Sequence, residues 1–439
     1  MALKHDSRIV IIGAGAFGLS TALELARKGY TSVTVLDRSL PPVADGSSVD
    51  ISRIVRSDYS DADYAALARE AYELWLSSEL FRPAFHPTPF LIATQLADRA
   101  GLPGTDYVKA IKDNINSLGL AWRDLNSAAD ARTIFPVLKG ELAAPGFAGY
   151  ISDQAGWADA AHGISLLRDE CSRLGVSFIA GAHGTVTGLN QAEPGGRVQS
   201  VSTASGLTIP AELVVLAAGA WTASIAPLEK ATISTGQIVG YVRLSDEQAA
   251  RLAGLPIYMN MATGVFMFPP HPQTKQLKVA CHGFGYTNTQ SPGPGNLGTT
   301  LTAPPPKTVP RRTTFVPEEG ISRLRAGIVE ALGQEFEGCE FEKTVICWYT
   351  ETPTGDFIVD RHPLHNNLVL ATGGNGHAYK MLPVLGKYVV QAIEGTLSPK
   401  LREKWKLDEE RLRGQEFGGD GSRGGPPRRE FTDEEKLKL

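Results

Sequence analysis

The chain has 439 residues, more than one hydrophobic core grows around, so two domains are expected. Its 43 Lys and Arg stand against 47 Asp and Glu, a formal net charge of -4, and they gather into no basic stripe; that excludes a nucleic-acid partner and leaves a small molecule. Cys171, Cys281, Cys339 and Cys347 make no C-x-x-C pair and no zinc spacing, and no apolar run approaches the ~20 residues of a membrane span. The expectation is a soluble protein of a reducing compartment, without disulfide, metal or membrane.

In chain order, residues 8–12 read as a buried parallel strand, followed at once by Gly13-Ala14-Gly15-Ala16-Phe17-Gly18. A helix with Leu19, Ala22, Leu23 and Ala26 on its apolar face then runs to Gly29, a C-terminal cap. The next strand, 33–37, ends on Asp37. In that setting each residue has a task. The glycines give a tight turn, close approach of backbone to a pyrophosphate and close packing of helix on strand, while Asp37 takes a ribose hydroxyl. The helix N-terminus receives the phosphates.

This fingerprint by itself leaves NAD and FAD open. Two further segments, 213–223 and 367–380, also end a strand in small residues. An extended FAD needs such contacts at both its ends, and the loop Gly373 to Gly376 would present a helix N-terminus to the flavin pyrimidine edge. The reading is an α/β protein in which a Rossmann-like FAD-binding domain (1–86, 146–226 and 340–400) is interleaved with a mixed-sheet α+β substrate domain (87–145 and 227–339). Within the second insertion, 265–270 and 277–286 alternate like strands. The Pro/Gly-rich 291–310 marks 287–313 as a lid or a disordered insertion. Residues 401–439 form a C-terminal extension, expected to be mobile from about 417. Its last three residues, Leu437-Lys438-Leu439, are a degenerate peroxisomal address, so a cytoplasmic or peroxisomal location is expected.

Four stretches taken in order, 45–61, 277–288, 346–363 and 371–388, resemble the family of monomeric sarcosine oxidase, pipecolate oxidase and fungal fructosyl amine oxidases, in particular its saccharopine oxidase-like members. The resemblance runs from residue 8 to residue 407. It implies a monomeric flavin-dependent oxidase of a secondary amine, an N-alkyl amino acid such as saccharopine or an N-methyl amino acid. The product would be an imine that is hydrolysed or cyclised, with O2 reduced to H2O2. Fructosyl amino acid oxidase and a flavin dehydrogenase with another acceptor are the alternatives.

Residue by residue, the resemblance implies that Cys347 is joined to the flavin by an 8α-S-cysteinyl thioether; on its own, such a residue reads as a small buried thiol. Lys278 would lie over the ring and assist oxygen, although the alternation of its strand leaves its face open to flavin or water. Arg56 and Lys380 would hold a substrate carboxylate, and Arg53, placed one helical turn before Arg56, the ring edge; without the family the two arginines read equally as an interdomain salt bridge. Tyr349 would line the substrate side, where Phe266 replaces a tyrosine of the relatives, and His282 would lie near the amine. Arg38, Ser48, Val186, Gly374, Gly376, His377 and Lys380 complete the cofactor candidates.

Overall fold

The computed structural model describes residues 3–95, 104–143, 146–193, 195–226, 228, 230–291, 301–306, 310–414 and 417–439. The glycine fingerprint folds as read. Strand β1 (Ile9–Ile12) is apolar and buried at every position, the pattern of a parallel strand covered on both faces. Helix α1 (Ala16–Arg27) follows, then β2 (Val33–Leu36). The sheet runs in the order Ile358–His362, His365–Thr372, Leu213–Leu216, β1, β2, Ser177–Ile179. Ile9 pairs in parallel with Leu213 on one side and Val33 on the other. Helix Leu382–Glu394 crosses α1 at Gly386, where a Cβ would stand 1.9 Å from the Ser20 carbonyl oxygen. Ser20 locks the crossing by accepting from the Gly386 N–H at 2.7 Å and donating to the Leu382 carbonyl at 2.8 Å.

Among the described residues the second sheet has ten strands and is mixed. At its centre, Ile233–Arg243 pairs antiparallel with Lys343–Glu351 on one side, Gln237 opposite Cys347, and with Gln276–Cys281 on the other, Tyr241 opposite Lys278. Two of its strands, Phe147–Ser152 and Lys343–Glu351, come from segments expected in the cofactor domain. The expected partition differs there because the period-2 pattern that marks a strand does not say which sheet it joins.

Two expectations meet a different structure. Arg53 and Arg56 lie on a strand, β3 (Arg53–Arg56), not on a helical turn. The β-branched Ile54 and Val55 between them pair antiparallel with Ala155–Ala158, Arg53 opposite Ala158. Residues 417–439 are folded rather than mobile: Arg429–Glu430 adds in parallel to Tyr286–Thr287, and Phe431, 2% exposed, stacks on Tyr286 at 5.1 Å. A Thr432 capping box opens the turn Asp433–Lys436, and Thr313 Oγ1 donates to the Lys438 carbonyl at 3.0 Å. One aromatic anchor and one added strand outweigh a polar composition. The proposed lid, 287–313, falls partly outside the described residues; Thr289–Gln290 pairs with Leu301–Thr302 within it. No helix among the described residues is long and apolar enough to cross a membrane.

Candidate active site

A cavity of ≈ 460 Å³ opens where α1 leaves β1. Gly13, Gly15, Phe17, Asp37, Arg38, Ser48 and Arg53 line it from the first hundred residues, Val186 from the middle of the chain, and Gly374 and Gly376 from the last. Gly13 has φ +105°, and a Cβ there would meet the Ala217 carbonyl oxygen at 2.4 Å. Gly18 stands behind the loop; a Cβ on it would lie 1.8 Å from the Gly13 oxygen, so only hydrogen lets helix and strand meet. Asp37 accepts from the Ala14 N–H at 2.7 Å, Ser48 from the Ala16 N–H at 2.9 Å, and no side chain caps α1 at Gly15. Arg38 is held in a fork by Asp45, at 2.8 and 2.7 Å, and stacks over Trp221 at 4.2 Å. A glycine cradle that side chains would fill, an acid at the end of β2 and contacts from three separated segments fit an FAD.

The smaller cavity, ≈ 70 Å³, shares the wall formed by Arg53, Tyr349, Gly376 and Tyr379 with the larger one. Gly376 has φ +72°, and a Cβ on it would cut into the Tyr349 ring at 2.2 Å, so the flavin-side loop and Tyr349 interlock. Lys278, Arg56, Lys380, His282, His377 and Cys347 line this cavity, which brings together every residue the sequence reading placed in catalysis. Lys278 therefore faces the interior and not water.

Lys278 is 1% exposed, with Nζ 3.0 Å from Asp50 Oδ2 and 2.6 Å from the Ser52 carbonyl oxygen. Burial pulls its pKa down to about 7, against the pull of the Asp50 carboxylate. Asp50 also pairs with Arg53, accepts from Tyr241 Oη at 2.7 Å, and has Arg312 at 3.9 Å. Against the upward push of burial, Lys278, Arg53 and Arg312 hold it far below the usual carboxylate range. Arg53 further donates to Cys347 Sγ at 3.4 Å. Cys347 is 3% exposed and unpaired with any other cysteine.

Arg56 is 6% exposed, and its Nη1 is buried without a hydrogen-bond partner. Its guanidinium stands over Tyr59 at 5.1 Å and Phe90 at 5.6 Å. Lys380 Nζ donates to Tyr59 Oη at 3.0 Å and to the His377 carbonyl at 3.2 Å; burial, then Arg56, push its pKa far down. His377 Nε2 faces the Gly355 carbonyl at 3.1 Å and must be its donor, so Nδ1 accepts from Tyr59 Oη at 3.0 Å. Burial and Lys380 lower the His377 pKa to about 3, consistent with this neutral tautomer. His282 is likewise fixed: Arg423 Nη1, only a donor, stands 3.4 Å from Nδ1, so Nε2–H donates to Ser422 Oγ at 2.9 Å. With both nitrogens engaged, and burial and Arg423 pushing its pKa far down, it is no free base.

Sequence reasoning missed five residues here. Asp50 and Tyr59 lie inside the quoted 45–61 stretch, and their signal was an acid and an aromatic flanking the arginine pair. Asp420, Ser422 and Arg423 sit in a Gly-rich polar tail that gave no signal. No group of acids, histidines and cysteines among the described residues could hold a metal.

Residues 8–392 match the family profile described as DAO, FAD dependent oxidoreductase. The chain is 27% identical over 418 residues to L-saccharopine oxidase of Schizosaccharomyces pombe, covering 92% of this chain and 93% of that one. To monomeric sarcosine oxidase of Arthrobacter sp. it is 25% identical over 408 residues, covering 90% and 94%. The crystal structure of the deglycating enzyme fructosamine oxidase from Aspergillus fumigatus (Amadoriase II) superposes with a TM-score of 0.87 at 29% identity, covering 98% of this chain and 97% of that one. With its glycine cradle, its interleaved sheets and a match over most of its length, the chain belongs to the DAO family of FAD-dependent oxidoreductases.

Proposed function

We propose that the protein oxidises a secondary amine, an N-alkyl amino acid such as saccharopine or an N-methyl amino acid, with oxygen as acceptor and hydrogen peroxide as product. The observation that carries this reading is Arg56: a buried guanidinium with an unpartnered Nη1, on the wall of a cavity that shares residues with the cofactor cavity. A buried donor of that kind is costly unless a ligand completes it, and a carboxylate is the matching ligand. Relatives named for saccharopine and sarcosine oxidation support the substrate class.

When bound, FAD supplies the acceptor for a hydride equivalent from the C–H beside the amine nitrogen and hands the electrons to oxygen. Arg56 and Lys380 hold the substrate carboxylate. The Tyr59–His377–Gly355 hydrogen-bond series points Lys380 at the cavity and keeps it from turning away. Tyr349 walls the substrate toward the cofactor. Because His282 and His377 have both ring nitrogens occupied, neither histidine serves as a base; orientation and field provide the acceleration. Lys278, pinned by Asp50, places a cation where oxygen takes up charge. Cys347 would be the covalent anchor of the ring, with the Arg53 guanidinium donating to its sulfur at 3.4 Å.

The test is to mix the yellow holoenzyme anaerobically with saccharopine, sarcosine, N-methyl aromatic amino acids and fructosyl amino acids, and to record bleaching of flavin absorbance. Bleaching by an N-alkyl amino acid, followed by peroxide formation on admitting air, is expected. Bleaching only by fructosyl amino acids would move the protein to that class, and bleaching without peroxide would make it a dehydrogenase.

A further inference from the structure

The C-terminal strap brings a carboxylate into the substrate cavity. Asp420 and Ser422 line that cavity together with Arg56 and Lys380. The strap is fastened on both sides of them. Gly419 N–H donates to the Pro353 carbonyl at 3.0 Å, Gly424 N–H to the His282 carbonyl at 3.2 Å, and Gly425 N–H to the Ala262 carbonyl at 3.0 Å. Arg423, 6% exposed, reaches Glu351 at 3.1 Å and the Asn375 carbonyl at 3.0 Å. A Cβ on Gly424 would stand 2.3 Å from the Met261 carbonyl oxygen, so the strap lies flat on the body.

Hydrogen bonds run in one direction toward Asp420. Arg423 donates to His282 Nδ1, His282 Nε2–H donates to Ser422 Oγ, and the Ser422 hydroxyl donates to Asp420 Oδ1. The Ser422 N–H also goes to Oδ1, at 3.1 Å. Oδ2 has no hydrogen bond among the described residues. The other charges of the cavity sort themselves: Arg53 and Lys278 are satisfied by Asp50, and Arg423 by Glu351. What remains on the lining is the Arg56 and Lys380 pair, with the buried Asp58 beside Arg56, and the Asp420 carboxylate, whose charge also acts on Lys380. A cavity lined by two cationic side chains and by a carboxylate with a free oxygen matches a zwitterion.

We propose that Asp420 is a specificity-determining residue that receives an ammonium group of the substrate while Arg56 and Lys380 hold its carboxylate. The assignment of the carboxylate to Arg56 rests on the amine-oxidase reading; the ammonium subsite is new. The ≈ 70 Å³ cavity holds on the order of five waters at ~10–15 Å³ each, enough to enclose the amino-acid head of a substrate, so the ammonium it takes is that of the reacting amine, which passes one proton to the Asp420 carboxylate before the C–H beside the nitrogen gives up a hydride. Asp420, set by Ser422 and His282, selects amino acids over plain carboxylic acids.

The experiment uses isosteric pairs bound to the FAD-loaded full chain without oxygen, with Kd read from the change in flavin absorbance. N,N-dimethylglycine against 3-methylbutanoate places a cation or a carbon next to the reacting position. Aminohexanoate with its amine on the terminal carbon, against heptanoate, places the cation far away. In the wild type, N,N-dimethylglycine binds at least tenfold more tightly than 3-methylbutanoate, the size of a hydrogen bond to a charged group. Asp420→Asn abolishes that preference and leaves 3-methylbutanoate within threefold. Ser422→Ala, which frees the carboxylate without removing it, reduces the preference and serves as the test should the first variant fail to load flavin. A preference confined to the long pair would transfer the subsite to a distal ammonium. No preference in either pair, or its retention in both variants, overturns the proposal. Flavin bleaching by N-alkyl amino acids together with absent preference defeats this inference alone; preference without bleaching defeats the oxidase reading alone.

Discussion

Lys278 Nζ lies 3.0 Å from Asp50 Oδ2, in a place where the two side chains are 1% and 0% exposed. An ion pair so far from water is held by geometry, and removing one partner leaves a buried charge that costs about 3–5 kcal/mol. Lys278 titrates at about 7 because burial lowers it and Asp50 raises it. Lysine is cationic below its pKa, so Asp50→Asn shifts the cationic form to lower pH. Reoxidation of the reduced enzyme by oxygen, followed by stopped flow, should slow at neutral pH and recover as pH falls, along a limb displaced to the acid side of the wild type. An unshifted limb would separate Asp50 from Lys278 function.

Lys278→Met should leave flavin bound and reduced by substrate at close to the normal rate while slowing reoxidation about 10²- to 10³-fold, the range for loss of one preorganised charge-stabilising donor. Measuring the two half-reactions separately decides it, since a merely structural lysine would affect both or neither.

Arg56→Met should raise KM for an amino-acid substrate by about 10- to 100-fold, as expected for one charge-assisted hydrogen-bond partner. Arg56→Lys should restore part of it, because a lysine keeps the charge without the fork. The same substrate without its carboxylate should be insensitive to both substitutions. Equal losses on the two substrates would place Arg56 in the fold and not on the carboxylate.

Cys347→Ser should release its flavin into the supernatant on acid precipitation, while the wild-type pellet stays yellow. A colourless wild-type pellet would remove the thioether and leave Cys347 as a buried thiol beside Arg53.

Gly424→Ala forces a Cβ to within 2.3 Å of the Met261 carbonyl oxygen, a backbone atom that has little freedom to yield. The strap should lift, raising KM for the amine several-fold while flavin absorbance and Cys347 chemistry persist. An unchanged KM would show that the strap's seat on the body does not shape the substrate cavity.

Much of the cofactor side was legible because its signals are local. Gly13, Gly15 and Gly18 are fixed by one turn of chain, and Asp37 by the length of one helix. Arg56, Lys380, Lys278 and Cys347 were assembled from four distant stretches only through resemblance, since nothing in their spacing says that they meet. The helical placement of Arg53 failed because a two-residue interval cannot distinguish a turn from a short strand; pairing with Ala155–Ala158 settles it. His282 and His377 were legible as residues of the site, but their neutrality depends on Arg423 and Gly355, partners no local pattern announces.

The sequence by itself determined the β1–α1–β2 unit, its glycine cradle and the dinucleotide that such a cradle takes, because those depend on periodicity and on residues a few positions apart. Only the tertiary structure decided that Asp50 neutralises Lys278 and Arg53 together, and that a polar, glycine-rich tail becomes a wall of the cavity lined by Arg56 and Lys380. The physical reason is the same in both cases. Local composition reports how a segment is solvated when alone, whereas the cost of burying Asp50 is set by Lys278, and the seating of the tail by an open strand edge at Tyr286–Thr287 and a stacking partner for Phe431, all of which arrive from elsewhere in the chain.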